Sequence, residues 1–123
     1  RIVIVTNQPG IAKGQLTEKR LNDIHGHMMH DIASAGGHIE AIYHCPHSES
    51  DDCKCRKPAP GMLIKAQRDL QLDLTRTVFM GDDDRDYCAS VKVGSPFERI
   101  SPKRPLQKAV KEYLEKYTQE IAA

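Results

Sequence analysis

Three short stretches of the sequence hold the side chains best suited to chemistry. The first reads Cys45-Pro46-His47, then five residues, then Cys53-Lys54-Cys55. Zinc takes four soft or borderline ligands in a tetrahedron, and two tight pairs joined by a short loop meet that demand. Disulfides are the rival use of the four cysteines, but a single residue between Cys53 and Cys55 disfavours a bridge there. With four protein ligands the shell is closed, so the expected zinc staples a loop and carries no reactive water. Cys88 falls in a helical stretch and is expected to pack as a small hydrophobe. His25, His27 and His30 lie close together near Asp23 and Asp31. They are expected on the polar side of a helix rather than around a second metal.

The second stretch, Gly81-Asp82-Asp83-Asp84-Arg85-Asp86, puts four carboxylates at one turn. Clustered carboxylates repel unless a cation neutralises them, and hard oxygens in loose geometry suit magnesium. The third signal is split. Arg56-Lys57 directly follows the cysteine loop, offering a bidentate guanidinium and a point charge for a phosphate. Thr6-Asn7-Gln8 adds hydroxyl and amide donors, next to the free N–H groups of a Pro9-Gly10 turn. Together these describe a site for a phosphate monoester with magnesium. There is no Walker loop and no glycine fingerprint of a dinucleotide fold.

These residues need a scaffold that brings them to one edge. Ile2 to Val5 reads as a buried strand running into Thr6-Asn7, with β-branched residues and no alternation. Thr17 is an N-cap signal, and Leu21, Ile24, Met28 and Ile32 recur at helical spacing until Gly36-Gly37. His38 to Tyr43 is a second strand, and His44 to Pro60 a polar loop. Gly61 to Leu72 is a helix with Met62, Ile64 and Leu70 apolar, and Thr77 to Met80 a third strand. Asp84 to Lys92 is a short helix, Phe97 to Ile100 a weak strand, and Pro105 to Ala123 a closing helix. That last helix carries an apolar set of Leu106, Val110, Leu114 and Tyr117 and a solvated Lys/Glu face. Strands alternating with helices imply an α/β fold with a mostly parallel sheet. Ligands of such sheets bind beyond the carboxyl ends of the strands, which is where all three stretches fall.

Composition narrows the function classes. The 123 residues suit one domain, and 18 basic against 17 acidic groups leave a formal charge of +1. That balance gives no electrostatic footprint for nucleic acid or membranes. No apolar run reaches the roughly 18 residues of a membrane span. Ile2 to Val5 is too short for a signal-peptide core, and reducible thiols fit the cytoplasm.

The segments IVTNQPGIAKG (4–14), CPHSESDDCKCRKPAPGML (45–63) and FMGDDDRD (79–86) resemble the haloacid dehalogenase-like (HAD-like) phosphatases. Among these, the sequence looks like the group of histidinol phosphatases and D,D-heptose 1,7-bisphosphate phosphatases. The likeness spans roughly residues 2 to 100. PGIAKG and RKPAPGML look like the heptose enzymes, while the short gap from His47 to Cys53 is similar to the histidinol type. The resemblance implies a Rossmann-like three-layer fold; the chain is expected to be a single, N-terminally incomplete domain over 1–123, with a zinc loop at 45–55 and a C-terminal helix at 105–121. It implies that Thr6 holds the transferring phosphoryl group and Lys57 balances its charge. It further implies that Asn7, Gln8 and Arg56 contact substrate, that Asp82 and Asp86 serve magnesium, and that Cys45, His47, Cys53 and Cys55 hold zinc. Asp83 departs from the pattern, since the heptose enzymes resemble this stretch with Lys there.

The family's nucleophile belongs to a DxDGT motif on a strand ahead of the TNQ segment, and no DxDGT occurs in these 123 residues. In that mechanism the first Asp attacks phosphorus to give an aspartyl-phosphate, and the second works as acid and base. The expectation is a phosphatase of a small phosphorylated metabolite, above all D-glycero-D-manno-heptose 1,7-bisphosphate, whose N-terminal segment is removed or not represented. These residues alone are then inactive, and a central strand is missing from the sheet, leaving two unpaired edges. A histidinol-phosphate phosphatase and a non-catalytic zinc-stapled binder of sugar phosphates or proteins are the alternatives. A polynucleotide 3′-phosphatase shares the TNQ-like segment but is disfavoured by the neutral charge.

Overall fold

The computed structural model describes residues 1–122, and its four strands form two separate parallel pairs. Strand β1 (Val3–Asn7) pairs with β2 (Ala41–Cys45), Asn7 lying opposite Cys45. Strand β3 (Phe79–Gly81) pairs with β4 (Phe97–Arg99), Gly81 opposite Arg99. Among the described residues no ladder joins the two pairs. The free edge of β1 meets a side chain instead, since Lys57 Nζ donates a long 3.4 Å bond to the Val5 carbonyl. This edge explains why the apolar run of β1 is only half-buried, where its sequence reads as buried on both faces.

Helix α1 (Glu18–Ser34) starts where the sequence predicts. Thr17 has extended backbone, and its hydroxyl accepts from the Arg20 N–H at 3.0 Å. Its inward contact is narrower than the apolar periodicity implies: Leu21 is buried, Met28 and Ile32 are half-buried, and Ile24 is exposed. Helix α2 (Gly61–Leu70) buries Met62, Leu63 and Ala66, leaves Ile64 outside, and stops two residues earlier than predicted, at a left-handed Gln71. Helix α3 (Asp84–Val93) carries a capping box in which Asp83 and Asp86 each accept from the other's end of the turn.

Two expectations fail on packing. Cys88 is exposed rather than packed, because α3 turns Ala89 and Ser90 inward instead. On helix α4 (Leu106–Ala122), Leu106, Val110, Leu114 and Tyr117 are exposed, and the helix docks through the fully buried Ala109. The predicted final residue of that helix, Ala123, lies outside the described residues. Strand boundaries also shift: β2 runs to Cys45 rather than stopping at Tyr43, so the first thiol sits on a strand end and not in a loop. No described helix is long and apolar enough to cross a membrane.

Candidate active site

Asn7, the last residue of β1, fixes the backbone that presents Lys57. Its Oδ1 accepts from the Lys57 N–H at 3.0 Å, and its Nδ2 donates to the Lys57 carbonyl at 3.2 Å. The amide expected to touch substrate makes both of these bonds to the Lys57 backbone. Lys57 then extends back between the strand pairs. Its Nζ lies 2.6 Å from Asp86 Oδ1 and 5.8 Å from the centroid of the Phe79 ring. Gly81 allows this approach, since a Cβ there would come within 2.5 Å of Asp86 Oδ2. Beside them the Thr6 hydroxyl accepts from Gln8 Nε2 at 3.0 Å, and the Gln8 N–H donates to the Cys45 carbonyl at 2.8 Å.

The cysteine loop forms a compact donor cluster. Ligand atoms of Cys45, His47, Cys53 and Cys55 all lie within 4.8 Å of one another. Cys45 Sγ is 3.5 Å from Cys53 Sγ and 3.4 Å from His47 Nδ1, and Cys55 Sγ is 3.3 Å from that nitrogen. Zinc–sulfur bonds of about 2.3 Å in a tetrahedron place ligands roughly 3.8 Å apart, so this donor set fits the ion. Burial works against ionisation of Cys53, yet the Arg56 backbone N–H and the two neighbouring thiols bring its pKa down to about 7. Burial and those neighbours push Cys55 up to about 12, and burial raises fully buried Cys45. The loop is tied to α2 at Gly61, whose N–H donates to the Lys54 carbonyl at 2.9 Å. A Cβ on Gly61 would collide with that same carbonyl.

The acidic turn does not converge as its sequence implies. Asp86 is buried against Lys57, Asp84 accepts from Arg99 Nη2 at 2.8 Å, and Asp83 is gripped by Arg85 at 3.0 and 3.2 Å. The Arg85 guanidinium and its backbone N–H hold the Asp83 carboxyl down at about 2. Three of the four charges are thus neutralised within the chain, leaving the exposed Asp82 carboxylate without a cationic partner among the described residues. Magnesium is commonly held by one or two carboxylates completed by water and phosphate oxygens, a role open to Asp82 with Asp86. His25, His27 and His30 form no donor cluster among the described residues. His25 instead lies near His44, ring centroids 6.0 Å apart.

Arg56, read from the sequence as a substrate contact, faces a residue that no sequence pattern singled out, Glu49. Its side chain is 12% exposed, its Nη2 meets Glu49 Oε1 at 3.4 Å, and its Nη1 is buried with no partner. Glu49 also faces Arg85 Nη1 at 3.9 Å, joining the cysteine loop to the start of α3. The signal was present in Ser48 and Asp51, which close a capping box around a one-turn helix at Glu49–Asp51.

The chain, with its parallel strands, a lysine paired to a buried aspartate and a Thr-Asn pair at a strand end, belongs to the HAD-like phosphatases. A family model for HAD-hydrolase-like proteins matches residues 54–97. Among named relatives, the chain is similar to a D-glycero-beta-D-manno-heptose-1,7-bisphosphate 7-phosphatase of Bordetella bronchiseptica. The two are 41% identical over 93 residues, covering 76% of this chain and 52% of the relative. A probable D-glycero-D-manno-heptose-1,7-bisphosphate 7-phosphatase of Thermoplasma volcanium is 39% identical over 103 residues, covering 81% of this chain and 69% of the relative. The crystal structure of the D,D-heptose 1,7-bisphosphate phosphatase from B. bronchiseptica, complexed with magnesium and phosphate, superposes with a TM-score of 0.83. The two chains share 32% identity, over 94% of this chain and 74% of the other. The chain spans about half the length of most of the curated relatives it matches.

Proposed function

We propose that this chain is the phosphoryl-binding part of a magnesium-dependent phosphatase acting on D-glycero-D-manno-heptose 1,7-bisphosphate, within a single domain. The observation that carries the reading is Lys57: its backbone is clamped to Asn7 while its ammonium rests on Asp86 at the carboxyl ends of β1 and β3. A phosphate entering there gains the Lys57 charge, the Thr6 hydroxyl and, from the next turn, Arg56. Asn7 fixes the lysine and Gln8 orients the Thr6 hydroxyl, so neither needs to move when phosphate binds. Asp82 with Asp86 would hold magnesium, which when bound screens phosphate charge and orients its oxygens. Cys45, His47, Cys53 and Cys55 would hold zinc, whose closed shell makes the 45–55 loop a rigid support for Arg56 and Lys57. The attacking carboxylate belongs to a segment other than these 123 residues. Reduced thiols at a zinc site suit a reducing compartment, which supports the cytoplasm as its location.

The test is phosphate release from the heptose bisphosphate by the whole protein with magnesium. Turnover that falls by about a thousandfold in Thr6→Ala or Lys57→Ala supports the reading. Undiminished turnover in both variants, or turnover by the 123-residue chain alone, contradicts it.

A further inference from the structure

Three cations divide the acidic turn, and one of them does more than pair a carboxylate. Lys57 and Arg85 take the carboxylates of Asp86 and Asp83. Arg99, the last residue of β4, serves two groups at once. Its Nη2 donates to Asp84 Oδ1 at 2.8 Å, and its Nη1 donates to the Asp82 main-chain carbonyl at 3.3 Å. Among the described residues no other side chain bonds to Asp82. The arginine is itself held in place. Strand pairing sets it opposite Gly81, the residue before Asp82, and the Ile100 N–H donates to the Gly81 carbonyl at 2.8 Å. Arg104 Nη1 donates to the Arg99 carbonyl at 3.2 Å, and the Arg99 guanidinium lies 5.7 Å from the centroid of the Phe97 ring.

We infer that Arg99 is a positioning residue for Asp82. It pins the main chain that carries this carboxylate and draws Asp84 aside, so that the turn presents Asp82, and not Asp84, to magnesium. The inference rests on the proposed magnesium role of Asp82 with Asp86. Geometry decides the case more than charge does. A planar guanidinium serves a carbonyl and a carboxylate through separate nitrogens in a fixed spread, which an ammonium on a flexible stem does not reproduce. The side chains of Arg99 and Asp84 are 46% and 91% exposed, so their ion pair adds little to folding and variants of either keep the fold. Magnesium demands near-ideal octahedral geometry, so a carboxylate on an unpinned turn binds it less well. Residues that orient a metal ligand in this way act on metal affinity without touching the ion.

The test is calorimetric titration of the whole protein with magnesium in the presence of inorganic phosphate. Arg99→Met/Asp84→Asn removes one charge of each sign, so the net charge of the turn is unchanged and the placement of Asp82 alone is altered. It is expected to raise the magnesium Kd about three- to tenfold. Asp84→Asn alone, which keeps the Arg99 bond to the Asp82 carbonyl, is expected to stay within about twofold of wild type. Arg99→Lys, keeping the charge but not the two-pronged reach, should fall between wild type and the double variant. In turnover the double variant should need more magnesium for half-saturation, with kcat at saturating magnesium within about twofold. A double variant that binds magnesium as wild type does, or an Asp84→Asn that weakens it equally, overturns the positioning role. Asp82→Asn reports on the underlying reading: if it leaves the magnesium Kd intact, Asp82 is not a ligand and the inference falls with that reading. If Asp82→Asn weakens magnesium and the double variant does not, the role of Arg99 alone is overturned.

Discussion

Lys57 Nζ lies 2.6 Å from Asp86 Oδ1, with the two side chains only 13% and 8% exposed. Their partners come from separate strand pairs: Lys57 is clamped to Asn7 of β1, and Asp86 sits against Gly81 of β3. This ion pair therefore bridges the two strand pairs, which no backbone ladder joins among the described residues. Removing one member of a buried pair strands the other charge, at a cost of about 3–5 kcal/mol. Lys57→Met should lower unfolding stability by that amount in urea titration. Lys57→Met/Asp86→Leu should recover part of the loss, and a double variant no more stable than Lys57→Met sinks the account.

Gly81 gives a second test of the same contact. An alanine Cβ would come within 2.5 Å of Asp86 Oδ2 and 2.7 Å of its Cγ, so the carboxylate must withdraw from Lys57. Overpacking of this kind costs about 1–3 kcal/mol. Gly81→Ala should lower the urea midpoint and move the Lys57 side-chain ammonium resonance. An unmoved resonance at native stability shows that the strand yields instead.

The cysteine loop predicts metal linkage. Zinc binding by four prearranged donors stabilises the folded state, and a chelator should remove that term. Elemental analysis should find one zinc per chain, and chelation should lower the melting temperature. Cys55→Ser should lose most zinc at equal chelator concentration. A chain that melts identically with and without chelator, carrying no zinc, rules out the staple.

Much of this arrangement was legible in the residues. Cys45, His47, Cys53 and Cys55 are brought together as their spacing implied, because local loops fix local geometry. Thr17 capped its helix as read. What failed depended on distant partners. The β-branched run Val3–Val5 cannot report that one of its edges meets a lysine rather than a strand. The stripe Leu106, Val110, Leu114 and Tyr117 has helical spacing, but spacing does not say whether anything lies opposite it, and the helix docks through Ala109. Likewise the Asp82–Asp86 turn reads as one charge cluster until Arg85, Arg99 and Lys57 divide it. Arg99 and Lys57 reach it from elsewhere in the chain, so no local pattern reveals them.

Asp83 has a pH signature whose sign is fixed. Arg85 depresses its carboxyl pKa from 3.8 to about 2. A depressed carboxylate stabilises the fold above its unfolded pKa, and that contribution is lost as pH falls from about 4 through about 2. Carbon-detected titration should show Asp83 returning toward 3.8 in Arg85→Ala. Asp83→Asn should flatten the stability profile in that window and leave pH 5 to 7 unchanged. A slope change above pH 5 would assign the linkage to another group.

Asn7 separates positioning from contact. Its two bonds to the Lys57 backbone are worth about 1–3 kcal/mol together, so Asn7→Ala should keep the fold while loosening the lysine. If Asn7 chiefly contacts substrate, its removal raises KM and leaves the Lys57–Asp86 pair untouched. If it chiefly positions Lys57, kcat of the whole protein falls by at least about tenfold with KM within about threefold, because a small misplacement of a charge-balancing group acts on the transition state. The independent readout is the Lys57 ammonium resonance without ligand, which shifts only when the lysine itself is released. Asn7→Asp, keeping the acceptor for the Lys57 N–H but losing the donor to its carbonyl, should fall between wild type and Asn7→Ala. A kcat loss with an unmoved ammonium resonance would return Asn7 to the substrate.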